Sequence, residues 1–144
     1  VESSEDPFQL QRFIDAQKRT YEVALTELQA GQKRSHWMWF IFPQLAELGR
    51  SATAQHYGIR SLEEACAFLA HSVLGQHYRE SVDAILEWAS SKSAVEILGE
   101  TDAMKLRSSL TLFDIASGEP LFAEALEAFF GSPDEATLQL LNRT

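Results

Sequence analysis

The sequence predicts an all-α protein, a compact single domain over residues 1–144 with six or seven helices around a buried aromatic segment. Three observations carry this. Apolar residues recur at spacings of three and four along most of the chain. Capping residues and glycines punctuate those runs at helix-length intervals. No two segments alternate in a way that would make them partner strands. The organising stretch is Lys33-Arg34-Ser35-His36-Trp37-Met38-Trp39-Phe40-Ile41-Phe42-Pro43-Gln44, which holds two of the three tryptophans and two of the nine phenylalanines. The large apolar run from Trp37 to Phe42 is far short of the roughly 20 residues that span a bilayer, so it belongs inside the fold. A lone strand there would leave backbone groups unpaired in the core. A short buried helix ending before Pro43 is therefore expected.

The remaining elements follow in order. Residues 1–6 read as a frayed, acidic end. Asp6-Pro7 starts a helix, since aspartate caps and proline suits the first turn. Phe8, Phe13, Ile14, Tyr21, Leu25 and Leu28 give it an apolar face, and Gly31 ends it. A helical turn is expected from Ala52 to Tyr57. Ser61-Leu62-Glu63-Glu64 reads as a capping box opening a helix through Leu69. Val73 to Trp88 is the next helix, with Tyr78, Val82, Ile85 and Leu86 inward. A short helix runs from Ser93 to Leu98. Thr101 caps a helix to Ser117, and Pro120 to Phe130 forms another. Ser132-Pro133-Asp134-Glu135 reads as a second capping box before a last helix to about Leu141.

Composition bounds the function. Hydrophobic residues make up 45% and charged residues 23%, as in an ordinary globular protein. The net charge of −9 argues against a nucleic-acid polymer or an anionic membrane as partner. It is unevenly spread: residues 28–62 hold four basic residues against one acidic, and the rest eight against twenty. Cys66 is the lone cysteine, so no internal disulfide forms, and with no leader or spanning segment in view a cytoplasmic location is expected. Cys66 itself is expected to be a buried packing residue.

Three segments together resemble a known family. They are Asp6-Pro7-Phe8 with Leu10, Arg12-Phe13 and Ala16-Gln17; the block Ser35 to Gln44; and Lys105-Leu106 with Ser108-Ser109-Leu110-Thr111-Leu112-Phe113. The chain resembles the domain of unknown function 1810 family, small and mostly bacterial proteins sometimes labelled calpastatin. The resemblance covers nearly the whole chain, and its most specific part is His-Trp-Met-Trp-Phe. It implies a compact helical domain and carries over no activity, cofactor or catalytic residue, so whether the protein is an enzyme stays open. Leu110 departs from a methionine frequent in the family, a near-isosteric change. A calpain inhibitor of the calpastatin kind would be long and disordered, which this composition is not.

Two constellations could carry chemistry. Lys33, Arg34, Ser35 and His36 precede the amides of a new helix, and such a set suits an anion. Trp37 or Trp39 could stack on a ligand ring, and Gln44 closes the stretch. The bland alternatives are solvated loop charges, a serine that only caps and a hydrogen-bonded structural histidine at His36. On the later helix, Asp102, Lys105 and Ser109 share one border of the apolar stripe, with Ser108 beside them. They can be an ion pair with a helix serine, or part of a ligand site. The four histidines lack metal-ligand spacing and read as surface residues, so no metal or cofactor is expected. The favoured function is binding, with or without turnover, of a small anionic ligand such as a nucleotide or phosphosugar where the two sets meet. The alternative is a non-catalytic module presenting acidic helices to a protein partner whose identity the residues do not give.

Overall fold

The computed structural model describes residues 6–142, so the expected frayed end, apart from Asp6, lies outside the described residues. Among these residues the chain forms nine α-helices, one 3-10 turn and no strand beyond a single bridge between Leu45 and Ile59. The nine exceed the expected six or seven through the shortest elements, α2 (Met38–Ile41), α3 (Ala52–Tyr57) and α6 (Ala94–Leu98).

Helix α1 (Gln11–Ala30) starts later than Asp6-Pro7 suggests. Asp6 still caps, but across a preceding turn: its two carboxylate oxygens accept from the amides of Leu10 and Gln11. The helix ends at Gly31, whose φ of 73° is left-handed. A side chain there is excluded twice over, since a Cβ would also sit 2.7 Å from the Trp88 indole.

Helix α2 lies in the core as expected. Trp37, Met38, Phe40, Ile41 and Phe42 are buried. Trp39 is only half-buried, because it sits one position off the inward face. After Pro43 the chain makes the 3-10 turn Ala46–Leu48 and then α3, none of whose residues is buried. The Leu45–Ile59 bridge pins the two ends of this excursion together, through Ala46 N–H to Ile59 O at 2.8 Å and Ile59 N–H to Gln44 O at 2.9 Å.

Helices α4 (Leu62–Ala70) and α5 (Ser72–Leu86) follow. Ser61 caps α4 as read, accepting from Glu64 N–H at 3.0 Å. The reciprocal half of the box is missing: Glu64 is buried, accepts from Arg60 N–H and pairs with Arg12 at 2.7 Å. Cys66 is exposed rather than buried, since Ala65, Phe68 and Leu69 take the inward positions around it. His71 caps α5, and His77 packs between elements, bonded to Gln17 at 2.7 Å and stacked on Tyr21. Neither fits a plain surface histidine. At α6, Ser93 and Glu96 form a complete capping box.

Helix α7 (Glu100–Ser117) is the axis of the bundle, packing against α4, α6, α8 (Pro120–Phe129) and α9 (Glu135–Asn142). Its N-cap is Gly99, not Thr101, which lies in the first turn. The second capping box also fails as read. Asp134, not Ser132, caps α9, accepting from Thr137 N–H at 3.0 Å. The reason is tertiary: Asp134 is drawn into a buried network with Ser108 and Thr111 of α7, and Ser132 turns to Arg107 instead.

Candidate functional site

The two predicted sets meet. Lys33 Nζ lies 2.9 Å from Asp102, which also faces Lys105 at 3.8 Å on the same helix. Each lysine stands over a tryptophan, Lys33 over Trp37 at 5.2 Å and Lys105 over Trp39 at 5.1 Å from the ring centroids. One local and one tertiary feature set this arrangement: Gly31 turns the chain back, and Lys33 N–H bonds Ile97 O at 2.8 Å, just before α7 begins.

Several expected ligand groups are spent inside the protein. Glu27 of α1, which sequence reasoning missed, fills the anion position itself. Its carboxylate accepts from the amides of Arg34 and Ser35, the Ser35 hydroxyl at 2.6 Å and the Trp37 indole at 2.8 Å. Burial pushes the Glu27 carboxyl up, but the Ser35 hydroxyl, the Arg34 amide, the Trp37 indole and the Ser35 amide outweigh it and hold the pKa at about 2. Ser35 therefore caps no helix, and Trp37, with no exposed surface, stacks on no ligand. Nothing in the local sequence marks Glu27, since its partners come from a loop folded back onto α1.

Ser108 and Ser109 are corrections too. Ser109 is fully buried and bonds the Tyr78 hydroxyl at 2.8 Å, and Ser108 bonds Asp134 at 3.1 Å. The stripe reading misplaced them because α7 is covered on almost every side from Leu106 to Phe113. Arg34 is exposed and touches only Gln32 through its side chain. His36 is exposed and, against the expected structural role, makes no hydrogen bond among the described residues.

What remains converges on a narrow cleft. Trp39 of α2, Gln44 of the following loop, Tyr57 at the end of α3 and Lys105 of α7 line it, over Met38 and Phe42. Its volume is about 10 Å³, room for about one water. Gly58 sits at its wall, where a Cβ would lie 2.4 Å from Ala46. The Trp39 indole N–H, the Gln44 amide and the Tyr57 hydroxyl have no hydrogen-bond partner among the described residues. Tyr57 is the member that sequence reasoning left out. The described residues contain no group of three or more His, Cys, Asp or Glu placed to hold a metal ion.

Comparison with known proteins bears on the family and the fold. The family model described as "Protein of unknown function (DUF1810)" matches residues 7–141. The chain belongs to the DUF1810 family. A solved relative of this DUF1810 chain is the conserved hypothetical protein Rv1873 from Mycobacterium tuberculosis, at 45% identity and a TM-score of 0.93. That match covers 96% of the DUF1810 chain and 100% of the relative. None of the curated proteins matches. No described helix is long and apolar enough to cross a membrane.

Proposed function

We propose that this DUF1810 protein binds a small anionic ligand, such as a nucleotide or phosphosugar, at the Trp39–Gln44–Tyr57–Lys105 cleft. One observation supports the reading above others. Polar groups of the same kinds elsewhere are satisfied within the protein at every depth: the buried Trp37 indole and Gln17 amide, the half-buried Trp88 indole and the exposed Gln55 amide. The three neutral polar ends around the cleft are not, and they stand beside an ammonium. Polar groups left open together are the usual mark of a binding site. Lys105 would take the anionic head and Trp39 the ring. Asp102 balances one of the two lysines, so the corner keeps a single net positive charge from these three groups. A nucleotide exceeds the present opening, so the wall bearing Tyr57 must part for it. Ser109 is committed to Tyr78, which removes it as a nucleophile and makes the reading one of binding.

The experiment is a thermal-shift screen with nucleotides and phosphosugars, where a ligand at about 100 times its dissociation constant adds roughly 2.7 kcal/mol. A shift that disappears in Lys105→Ala supports the reading. No shift with any of them, or a shift that survives the substitution, overturns it.

A second reading, docking of a protein partner, has one observation in its favour. Between α1 and α5 lies an open groove of about 650 Å³ with Leu25 and Trp88 in it, Glu80 and Asp83 on α5 and Glu87 just past its end. Asp83 and Glu87 are exposed and without side-chain partners among the described residues. A basic amphipathic peptide whose binding falls in Asp83→Asn and Glu87→Gln would favour this reading. The exposed lone thiol of Cys66 fits a reducing compartment, and with a bacterial relative at hand we infer a bacterial cytoplasmic setting.

A further inference from the structure

The family-like segment Asp6 to Phe13 takes no part in the cleft, yet it walls a second and larger concavity. This one has a volume of about 470 Å³ and is lined by Phe8, Gln9, Arg12, His56, Arg60 and Ser61, with Glu64 at its base. Its size falls within the roughly 300–1,000 Å³ of small-molecule sites.

The base is rigid and electrically balanced. Arg12 gives Nε–H to His56 O, Nη1–H to Phe8 O and Gln9 O, and Nη2–H to Gly58 O and Glu64. Glu64 uses its other oxygen on Arg60 N–H at 2.9 Å. This pair is nearly sealed, with side-chain exposures of 12% for Arg12 and 3% for Glu64. Neither is free to bind a ligand, but together they fix the three segments around them. Gln9 is held at a φ of 54°, the one non-glycine residue at positive φ among those described, and such strain persists where the surroundings impose it.

The groups above the base are free. Arg60 is exposed and commits a single N–H, to Gln55 O at 3.2 Å. The His56 ring touches Tyr57 edge-on, and its nitrogens have no partner among the described residues. Ser61 Oγ accepts from Glu64 N–H, which leaves its O–H to donate. Asp6 and Asp15 line an adjoining concavity that shares Arg12 and His56. Both are engaged: Asp6 by the amides of Leu10 and Gln11, Asp15 by the Gln11 side chain at 2.9 Å. With Arg12 and Glu64 cancelling, the cavity lining itself carries the charge of Arg60, and the carboxylates of Asp6 and Asp15 lie outside it in the adjoining concavity.

We propose that this cavity is a binding site for a small organic phosphate, its phosphoryl oxygens on Arg60, His56 and Ser61 and its apolar part on Phe8. Three separate donors call for an anion with several acceptor oxygens, and a guanidinium fork matches phosphate. The test is calorimetric titration of the full chain with phenyl phosphate, with benzoate and inorganic phosphate as parallel arms. Saturable phenyl phosphate binding is expected, tighter than that of either parallel probe. Arg60→Ala should weaken it about tenfold or more, as for loss of a charged hydrogen bond. His56→Ala should weaken it too, and Lys18→Ala, an exposed lysine of α1 in neither site, should leave it unchanged. Phe8→Ala should remove the advantage over inorganic phosphate. Absence of saturable binding, benzoate binding as tightly, or wild-type affinity in both Arg60→Ala and His56→Ala overturns the proposal. Binding lost in Lys105→Ala alone would assign the phosphate to the Trp39 cleft instead. Both test side chains at positions 56 and 60 are exposed, and circular dichroism checks their folding; if one fails to fold, the other carries the test.

Discussion

Lys33 and Asp102 form an ion pair at 2.9 Å that ties the loop after α1 to the first turn of α7, with side chains only 10% and 19% exposed. The pair is unequal in its alternatives. Without Lys33, Asp102 keeps Lys105 at 3.8 Å. Without Asp102, two lysines face each other. Asp102→Ala should therefore destabilise by about 1–3 kcal/mol and Lys33→Ala by less, the range reflecting partial exposure. Urea unfolding of the two variants checks the order, and equal losses would contradict it.

The two tryptophans of the central block should differ in the same assay. Trp37 has no exposed surface and donates to Glu27, so Trp37→Ala should cost about 3–5 kcal/mol. Trp39 is half-buried at the cleft, and Trp39→Ala should cost about 1–2 kcal/mol, in line with the smaller apolar area it removes from water. A larger loss at Trp39 would mean that the cleft is closed core.

Glu27 predicts a pH dependence. Its folded pKa, about 2, lies below the ordinary carboxyl value of 4.5. The folded state therefore binds this proton less readily than the unfolded one. The stabilisation is complete above about pH 4.5 and is lost as pH falls toward 2. Glu27→Gln should cost about 1–2 kcal/mol at pH 7, discounted for the solvent the carboxylate still meets. The gap to wild type should narrow across that window in stability measured against pH. A gap constant from pH 7 to pH 3 would falsify the assignment.

Ser109 and Tyr78 give a test independent of any ligand. The Tyr78 hydroxyl is buried, its pKa is raised by that burial, and Ser109 is its partner. Ser109→Ala leaves the phenol unpaired and should cost about 1–3 kcal/mol. Ser109→Ala at wild-type stability would return the serine to the list of candidate ligand groups.

The Gly58 wall can be probed from the opposite direction. Gly58→Ala drives a methyl toward the Ala46 backbone, 2.4 Å away, and overpacking of that kind costs about 1–3 kcal/mol. It should also weaken any ligand of the Trp39 cleft, because the Leu45–Ile59 bridge would have to shift. Thermal melts with and without ligand separate the two effects.

Local signals were enough for most helix spans and ends, though not for the caps read at Thr101 and Ser132. Helical periodicity placed α1, α5 and α8, Gly31 and Gly118 ended their helices in left-handed conformations, and Pro43 closed α2. The apolar mass of Trp37 to Phe42 required burial because no other environment suits it. Residue types also foretold that the basic loop and the Asp102 helix carry mutually attractive charges. Tertiary structure alone decided which polar groups were left free. Glu27 reached Ser35 and Trp37 by folding of the loop, Asp134 and Tyr78 took the two α7 serines, and Glu64 left its capping role for Arg12. A buried polar group must find a partner, and the partner that wins is the one brought closest in space, at sequence separations that no spacing rule encodes.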